Sequence, residues 1–247
     1  MKVFFDDDFY RVYTYDPAAA AGRLEAVVSV IEDIAEFTEI KPASEEEILT
    51  CHTERHIRNV RSEGLYDIAA LAAGGAIQAA ELGLVEPCFA LIRPPGHHAS
   101  SDSAWGFCYF NNMAIALAVL KGQGKIDTAF VLDFDLHFGD GTVNILGDKD
   151  WVQIHNPSEI DRGEYLDRVE RILSNTSVDI IGISAGFDHH VEDWGGLLQT
   201  EDYYTMGKMI KEFAKAAKGG YFAILEGGYN HGVLGRNVEA LLNGMED

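Results

Sequence analysis

Residues 131–142 read VLDFDLHFGDGT. An apolar pair runs straight into Asp133, Asp135, His137 and Asp140. Charged side chains are costly inside a core unless they are paired or bind something. Polarity this dense at the end of an apolar run marks a site built where a buried strand emerges. Three other short apolar segments end the same way. CFALI (88–92) runs into RPPGHHA, DIIGIS (179–184) into AGFDHH, and YFAIL (221–225) into EGGYN. WVQIH (151–155) reads as one further strand.

Helical patterns lie between these segments. GRLEAVVSVIEDIAEF (22–37) has helical apolar spacing, and Ser44 and Glu47 have the spacing of a capping box. The Ala-rich stretch 66–84 reads as a buried helix. Residues 111–124 read as a helix begun by an Asn cap and ended by Gly, and 201–220 as one carrying Lys near its C-terminal end. Continuous apolar strands separated by helices indicate a parallel sheet covered on both faces. Ligands of such sheets bind beyond the carboxyl ends of the strands, where the four polar loops can converge.

The composition fits one α/β domain over residues 1–247. Of the 247 residues, 47% are hydrophobic, and the apolar runs are too short to span a bilayer. No secretory leader pattern opens the chain, so a cytoplasmic protein without membrane attachment is expected. Cys51, Cys88 and Cys108 are odd in number and far apart, the pattern of reduced thiols. A net charge of −21 repels phosphates and disfavours direct nucleic-acid binding. It suits solubility first. It would also attract cationic substrates such as lysine-rich peptides or polyamines.

Asp135 and His137 are two residues apart, so an extended segment would point both side chains the same way. Asp188, after another strand, offers a third metal ligand, and three ligands with an open position suit catalytic zinc. Fe²⁺ or Co²⁺ would suit the same donors. His97 and His98 are adjacent, with Asp133 and Asp140 available to orient their rings. Tyr229 follows two glycines and could donate a hydrogen bond to an oxyanion. Phe107 reads as a channel wall or as core. His155 joins the set only weakly, while His189 and His190 read as surface or supporting residues. His52, His56 and His231 belong to no visible constellation.

Taken in order, GRLEAV, RPPGHHA, GFCYFNNMAIA, DFDLHFGDGT, SAGFD and LEGGYN resemble the arginase/deacetylase superfamily. The closer resemblance is to its histone deacetylase and acetylpolyamine amidohydrolase branch, and LEGGYN leans toward class II-like members. The resemblance runs from about residue 22 to 232. It implies a single three-layer αβα domain with an eight-stranded, mainly parallel sheet. It also implies zinc-dependent removal of acetyl or other acyl groups from acyl-lysine or small acylated amines. Asp135, His137 and Asp188 would hold zinc. Asp133 would orient His97, and Asp140 would orient His98, the general base. Tyr229 would polarise the carbonyl, while Gly106 and Phe107 would line the channel. Potassium on main-chain carbonyls around Asp133, Asp135 and His137 is implied as a structural ion.

The chain departs from the family pattern in two places. Phe138 stands where a second His is common, and NPSEIDRGEY after residue 155 is shorter than the usual loop. That loop often carries the second aromatic wall, for which no replacement is evident, so an open, shallow pocket is expected. Two other readings remain: an arginase-like ureohydrolase with two bridged metals, and a non-catalytic acyl-amine binding protein.

Overall fold

The computed structural model describes residues 1–175, 177–217 and 219–247. Its strands are β1 (Lys2–Phe4), β2 (Glu36–Thr38), β3 (Cys88–Ala90), β4 (Ala129–Asp133), β5 (Val152–His155), β6 (Ile180–Ala185) and β7 (Gly220–Leu225). The helices are α1 (Arg23–Ile31), α2 (Glu45–Ile48), α3 (Glu54–Ser62), α4 (Tyr66–Gly83), α5 (Asn112–Gly122), α6 (Asp140–Leu146), α7 (Arg162–Leu173), α8 (Thr200–Ala217) and α9 (His231–Glu246). The sheet order is β2-β1-β3-β7-β6-β4-β5, and every pairing is parallel.

The expected eighth strand is absent among the described residues, and the sheet has seven. After the edge strand β5 the chain enters a short loop and then α7 directly, leaving no segment to extend the sheet on that side. A second difference concerns residues 22–37. The helix ends at Ile31 and the remainder turns into the edge strand β2, which pairs with β1. The helix read over 201–220 is observed as α8, ending at Ala217, and Lys218 lies outside the described residues.

Local chemistry sets the other boundaries. Ser44 Oγ accepts from the Glu47 N–H at 3.2 Å, and Glu47 Oε2 accepts from the Ser44 N–H at 2.7 Å, so the capping box forms. Asn111 Oδ1 accepts from the Ala114 N–H at 2.9 Å and starts α5. Helices α4 and α5 pack together, as do α1, α8 and α9, giving the three-layer αβα arrangement. Strands β4 and β6 are buried along their whole length, as their mostly apolar sequences require, with Asp133 and Ser184 the polar residues carried inside. All three cysteines are buried and free. No described helix is long and apolar enough to cross a membrane.

The strand order places the site. Strands β3, β7, β6 and β4 are consecutive neighbours at the centre of the sheet. In a parallel sheet their carboxyl ends share one edge, so the four polar loops emerge side by side.

Candidate active site

Asp133 is the last residue of β4, and beyond it the backbone bends. Asp135 Oδ1 accepts from the His137 N–H at 2.9 Å. The two side chains therefore converge through a turn, rather than through the strand alternation expected from their spacing. His137 Nδ1 lies 3.3 Å from Asp135 Oδ1 and 3.1 Å from Asp188 Oδ2. One donor atom from each of Asp135, His137 and Asp188 falls within 4.8 Å of the others.

Backbone amides lock the carboxylates in place. Asp135 Oδ2 accepts from the Gly227 N–H at 2.8 Å, and Asp188 Oδ1 from the Leu136 N–H at 3.0 Å. The loops after β4, β6 and β7 are thus tied to one another around the cluster. Two carboxylates and an imidazole, oriented by neighbouring amides, suit Zn²⁺ and equally Fe²⁺ or Co²⁺. The hydrogen bonds to Asp135 and Asp188 push His137 up to about 10, despite partial burial. Burial, reinforced by the Asp135 charge, pushes Asp188 up to about 6.

The paired histidines lie beside this cluster. His97 Nδ1 is 3.1 Å from Asp133 Oδ2, and His98 Nδ1 is 2.7 Å from Asp140 Oδ1. The rings themselves are 4.0 Å apart. Their electrostatics differ. Burial lowers both, but Asp135 and Asp133 outweigh it at His97 and hold that ring well above the ordinary range. At His98, burial and the His97 charge together prevail over Asp140, and the ring is pushed down to about 4. The two rings are therefore driven in opposite directions, His97 toward the protonated form and His98 toward the neutral one.

Tyr229 faces the same cavity, which measures about 310 Å³ and is also lined by both histidines, His137, Trp105, Gly106, Phe107 and Trp194. Burial, with Asp135 nearby, pushes the Tyr229 phenol far above its ordinary value, so the hydroxyl remains a donor. Phe107 lies edge-on to the Tyr229 ring at 5.9 Å, and Trp194 stacks on it at 4.1 Å. Trp194, which the sequence left without a role, is thus an aromatic residue lining the cavity. Gly106 and Phe107 both have positive φ, 60° and 67°. A Cβ at Gly106 would come within 2.3 Å of His98 Cδ2, so only glycine allows the aromatic segment to fold over that ring.

The structure therefore brings together His97, His98, Asp133, Asp140, Asp135, His137, Asp188, Gly106, Phe107 and Tyr229. His155 is not among them, and its Nε2 is buried without a hydrogen-bond partner among the described residues. His189 packs edge-on to Tyr165 at 5.2 Å, and His190 Nδ1 accepts from the Glu192 N–H at 3.1 Å. His52 Nε2 accepts from the Asn111 N–H at 2.9 Å, next to the cap of α5.

Several participants were missed in the sequence. Glu226 Oε2 accepts from the Gly96 and His97 N–H groups at 2.7 and 3.2 Å, tying the histidine loop to β7. Burial pushes this carboxyl up to about 7. Arg23 donates to the carbonyls of Gly228 and Glu226 at 2.8 and 2.7 Å. Asp193 and Trp194 brace Tyr229. The signal for the last two was an acid and an indole five and six residues beyond Asp188. His97, Cys108 and Glu226 form a second group with metal-binding potential. It shares no carboxylate with the first, unlike a bridged two-metal centre, and His97 and Glu226 are engaged in the hydrogen bonds above.

Comparison with known proteins agrees with this geometry. Residues 18–156 and 146–245 match the histone deacetylase domain. A probable deacetylase of Archaeoglobus fulgidus is 33% identical over 243 residues, covering 76% of this chain and 67% of that protein. A histone deacetylase-like amidohydrolase of Pseudomonas aeruginosa is 27% identical over 282 residues, covering 87% of this chain and 74% of that protein. The crystal structure of the HDA15 HD domain matches 98% of this chain and 88% of its own with a TM-score of 0.87. At 23% identity, that match speaks to the fold alone. The chain belongs to the histone deacetylase domain family and is an acyl-amide hydrolase of the deacetylase type.

Proposed function

We propose that residues 1–247 act as one metal-dependent catalytic domain that removes acetyl or related acyl groups from acyl-lysine side chains or small acylated amines. The observation that carries this reading is the convergence of Asp135, His137 and Asp188 beside a cavity lined by His98 and Tyr229. Asp135, His137 and Asp188 would hold a divalent ion, zinc by our reading, whose chemistry when bound is to polarise the amide carbonyl and acidify a water.

The protein's own groups supply the rest. Neutral His98 takes the water's proton as attack on the carbonyl proceeds, and Asp140 stabilises the imidazolium that results. Tyr229 donates a hydrogen bond to the developing oxyanion. Protonated His98 then returns the proton to the leaving amine, giving a carboxylate and a free amine. His97, held by Asp133, stands beside the reacting centre, where it can donate a hydrogen bond. Phe107 and Trp194 enclose the alkyl chain between aromatic faces.

Acetate release from an acetyl-lysine peptide and from an acetylated polyamine, by protein loaded with zinc, tests this reading. Release that stops on chelation, with one zinc per chain, is expected. No release from either substrate with one zinc bound would reject it, and two zinc ions per chain would favour a ureohydrolase. Potassium is measured in the same preparation, since main-chain carbonyls around Asp133, Asp135 and His137 are its proposed donors.

A further inference from the structure

The Trp105 ring lies over His98, with centroids 3.8 Å apart and planes inclined by 30°. Its Nε1–H donates to both oxygens of Asp140, at 2.9 Å to Oδ2 and 3.2 Å to Oδ1. Asp140 Oδ1 is also the atom 2.7 Å from His98 Nδ1. Three side chains therefore close a ring: the indole covers the imidazole face, its N–H holds the carboxylate, and the carboxylate holds the imidazole. Trp105 is 55% exposed, so burial of its own surface does not account for its position. The two following residues adopt left-handed backbone, and Phe107 is the only residue other than glycine to do so among the described residues. Such conformations persist where the surroundings impose them, often at functional sites.

Resting on the reading that His98 is the base, we propose that Trp105 is a positioning residue. It fixes the Asp140 carboxylate and the tilt of the His98 ring, leaving Nε2 as the ring nitrogen free to meet the substrate side. An aromatic wall alone would need no N–H. The bond from Nε1 to Asp140 is what separates this role from simple lining of the cavity.

Trp105→Phe keeps a ring over His98 and removes the N–H. A hydrogen bond to a charged group accounts for roughly tenfold or more in equilibrium or rate. The expected result is a fall in kcat of roughly tenfold, with KM for an acetyl-lysine peptide changed by less than about twofold. In an Asp140→Asn background the same substitution should add little, because Trp105 acts through that carboxylate. A second readout needs neither metal nor turnover. One indole N–H resonance, protected from exchange, should vanish in Trp105→Phe and shift in Asp140→Asn. An unchanged kcat, a penalty that survives undiminished in the Asp140→Asn background, or an indole resonance indifferent to Asp140→Asn would each overturn the proposal. Were the wild-type protein to hydrolyse no acyl amide, the functional reading would fail on its own. The resonance would still decide whether Trp105 holds Asp140.

Discussion

Asp193 Oδ2 accepts the backbone N–H of Tyr229 at 2.8 Å, and the same oxygen accepts that of Asn230 at 2.7 Å. One carboxylate from the loop after β6 thus holds the first turn after β7 in place. The next residue, Trp194, stacks on the Tyr229 ring. Asp193→Ala should release this turn and lower kcat by roughly 10- to 100-fold, the upper figure being the cost of displacing a catalytic group by about 1 Å. Asp193→Asn keeps an acceptor oxygen and should recover most of the loss. Zinc affinity should be unchanged in both, because Asp193 touches no member of the Asp135, His137 and Asp188 cluster; acetate release with a parallel metal titration checks this.

Tyr229→Phe isolates the hydroxyl. Burial keeps that phenol protonated throughout the working pH range, so it can only donate. Removing one oxyanion donor costs on the order of 10²–10³ in rate. We expect a loss of that size with one zinc still bound per chain. Turnover near the wild-type rate would remove Tyr229 from the reaction.

Trp194→Ala removes one aromatic lining of the cavity shared with Phe107, together with its edge-on packing against His137 at 6.0 Å. The expected effect is a rise in KM for long acyl or alkyl chains, with acetyl-lysine affected less. An exposed indole lining a pocket contributes on the order of 1–2 kcal/mol through contact with an apolar ligand, or about tenfold in KM. A KM series over acyl-chain length is the measurement. Equal loss for every chain would mean that Trp194 acts through Tyr229 or His137, which it packs against, rather than on the ligand.

The four polar loops could be read in the sequence because each follows a short apolar strand, a pattern confined to a dozen residues. Their adjacency could not, because the order β3-β7-β6-β4 arises from crossovers between segments distant in sequence. Chemistry that needs a carboxylate per imidazole made Asp133 and Asp140 the available partners, but which acid serves which ring came only from the family resemblance. In the structure His97 Nδ1 lies 3.1 Å from Asp133 and His98 Nδ1 2.7 Å from Asp140. Trp105 and Trp194 went unassigned because a lone indole in a polar loop has no periodicity to distinguish wall from rim. Strands β1 and β2 are three residues each, too short for alternation to register. The helical pattern of α1 also continued formally into β2, where pairing with β1 prevailed over local propensity.

Gly227 bears on metal affinity. A Cβ there would lie 2.5 Å from Asp135 Oδ2 and 2.8 Å from Asp188 Oδ2, and both carboxylates are pinned by amides. Gly227→Ala should displace one of them and weaken zinc binding by roughly 10–100-fold, the range seen when ligand orientation is disturbed. Competition against a chelator of known affinity measures it directly. Unaltered affinity would mean that the loop after β7 can retreat without disturbing Asp135.

His52 gives the fold an acid sensitivity separate from the active site. Its Nε2 accepts the Asn111 N–H next to the cap of α5, a role that protonation of that nitrogen abolishes. Burial, with His56 stacked beside it, lowers its pKa from 6.5 to about 3. The unfolded chain therefore binds this proton more readily than the folded one. Stability from this group is complete above pH 6.5 and declines as the pH falls toward 3. At pH 5 the loss amounts to about 2 kcal/mol, from 1.36 kcal/mol per pH unit below the unfolded value. His52→Gln retains an acceptor and does not titrate. Urea unfolding at pH 7 and pH 5 should show the wild type losing about 2 kcal/mol more than this variant between the two conditions. Equal losses would mean that the Asn111 contact breaks before His52 takes up its proton.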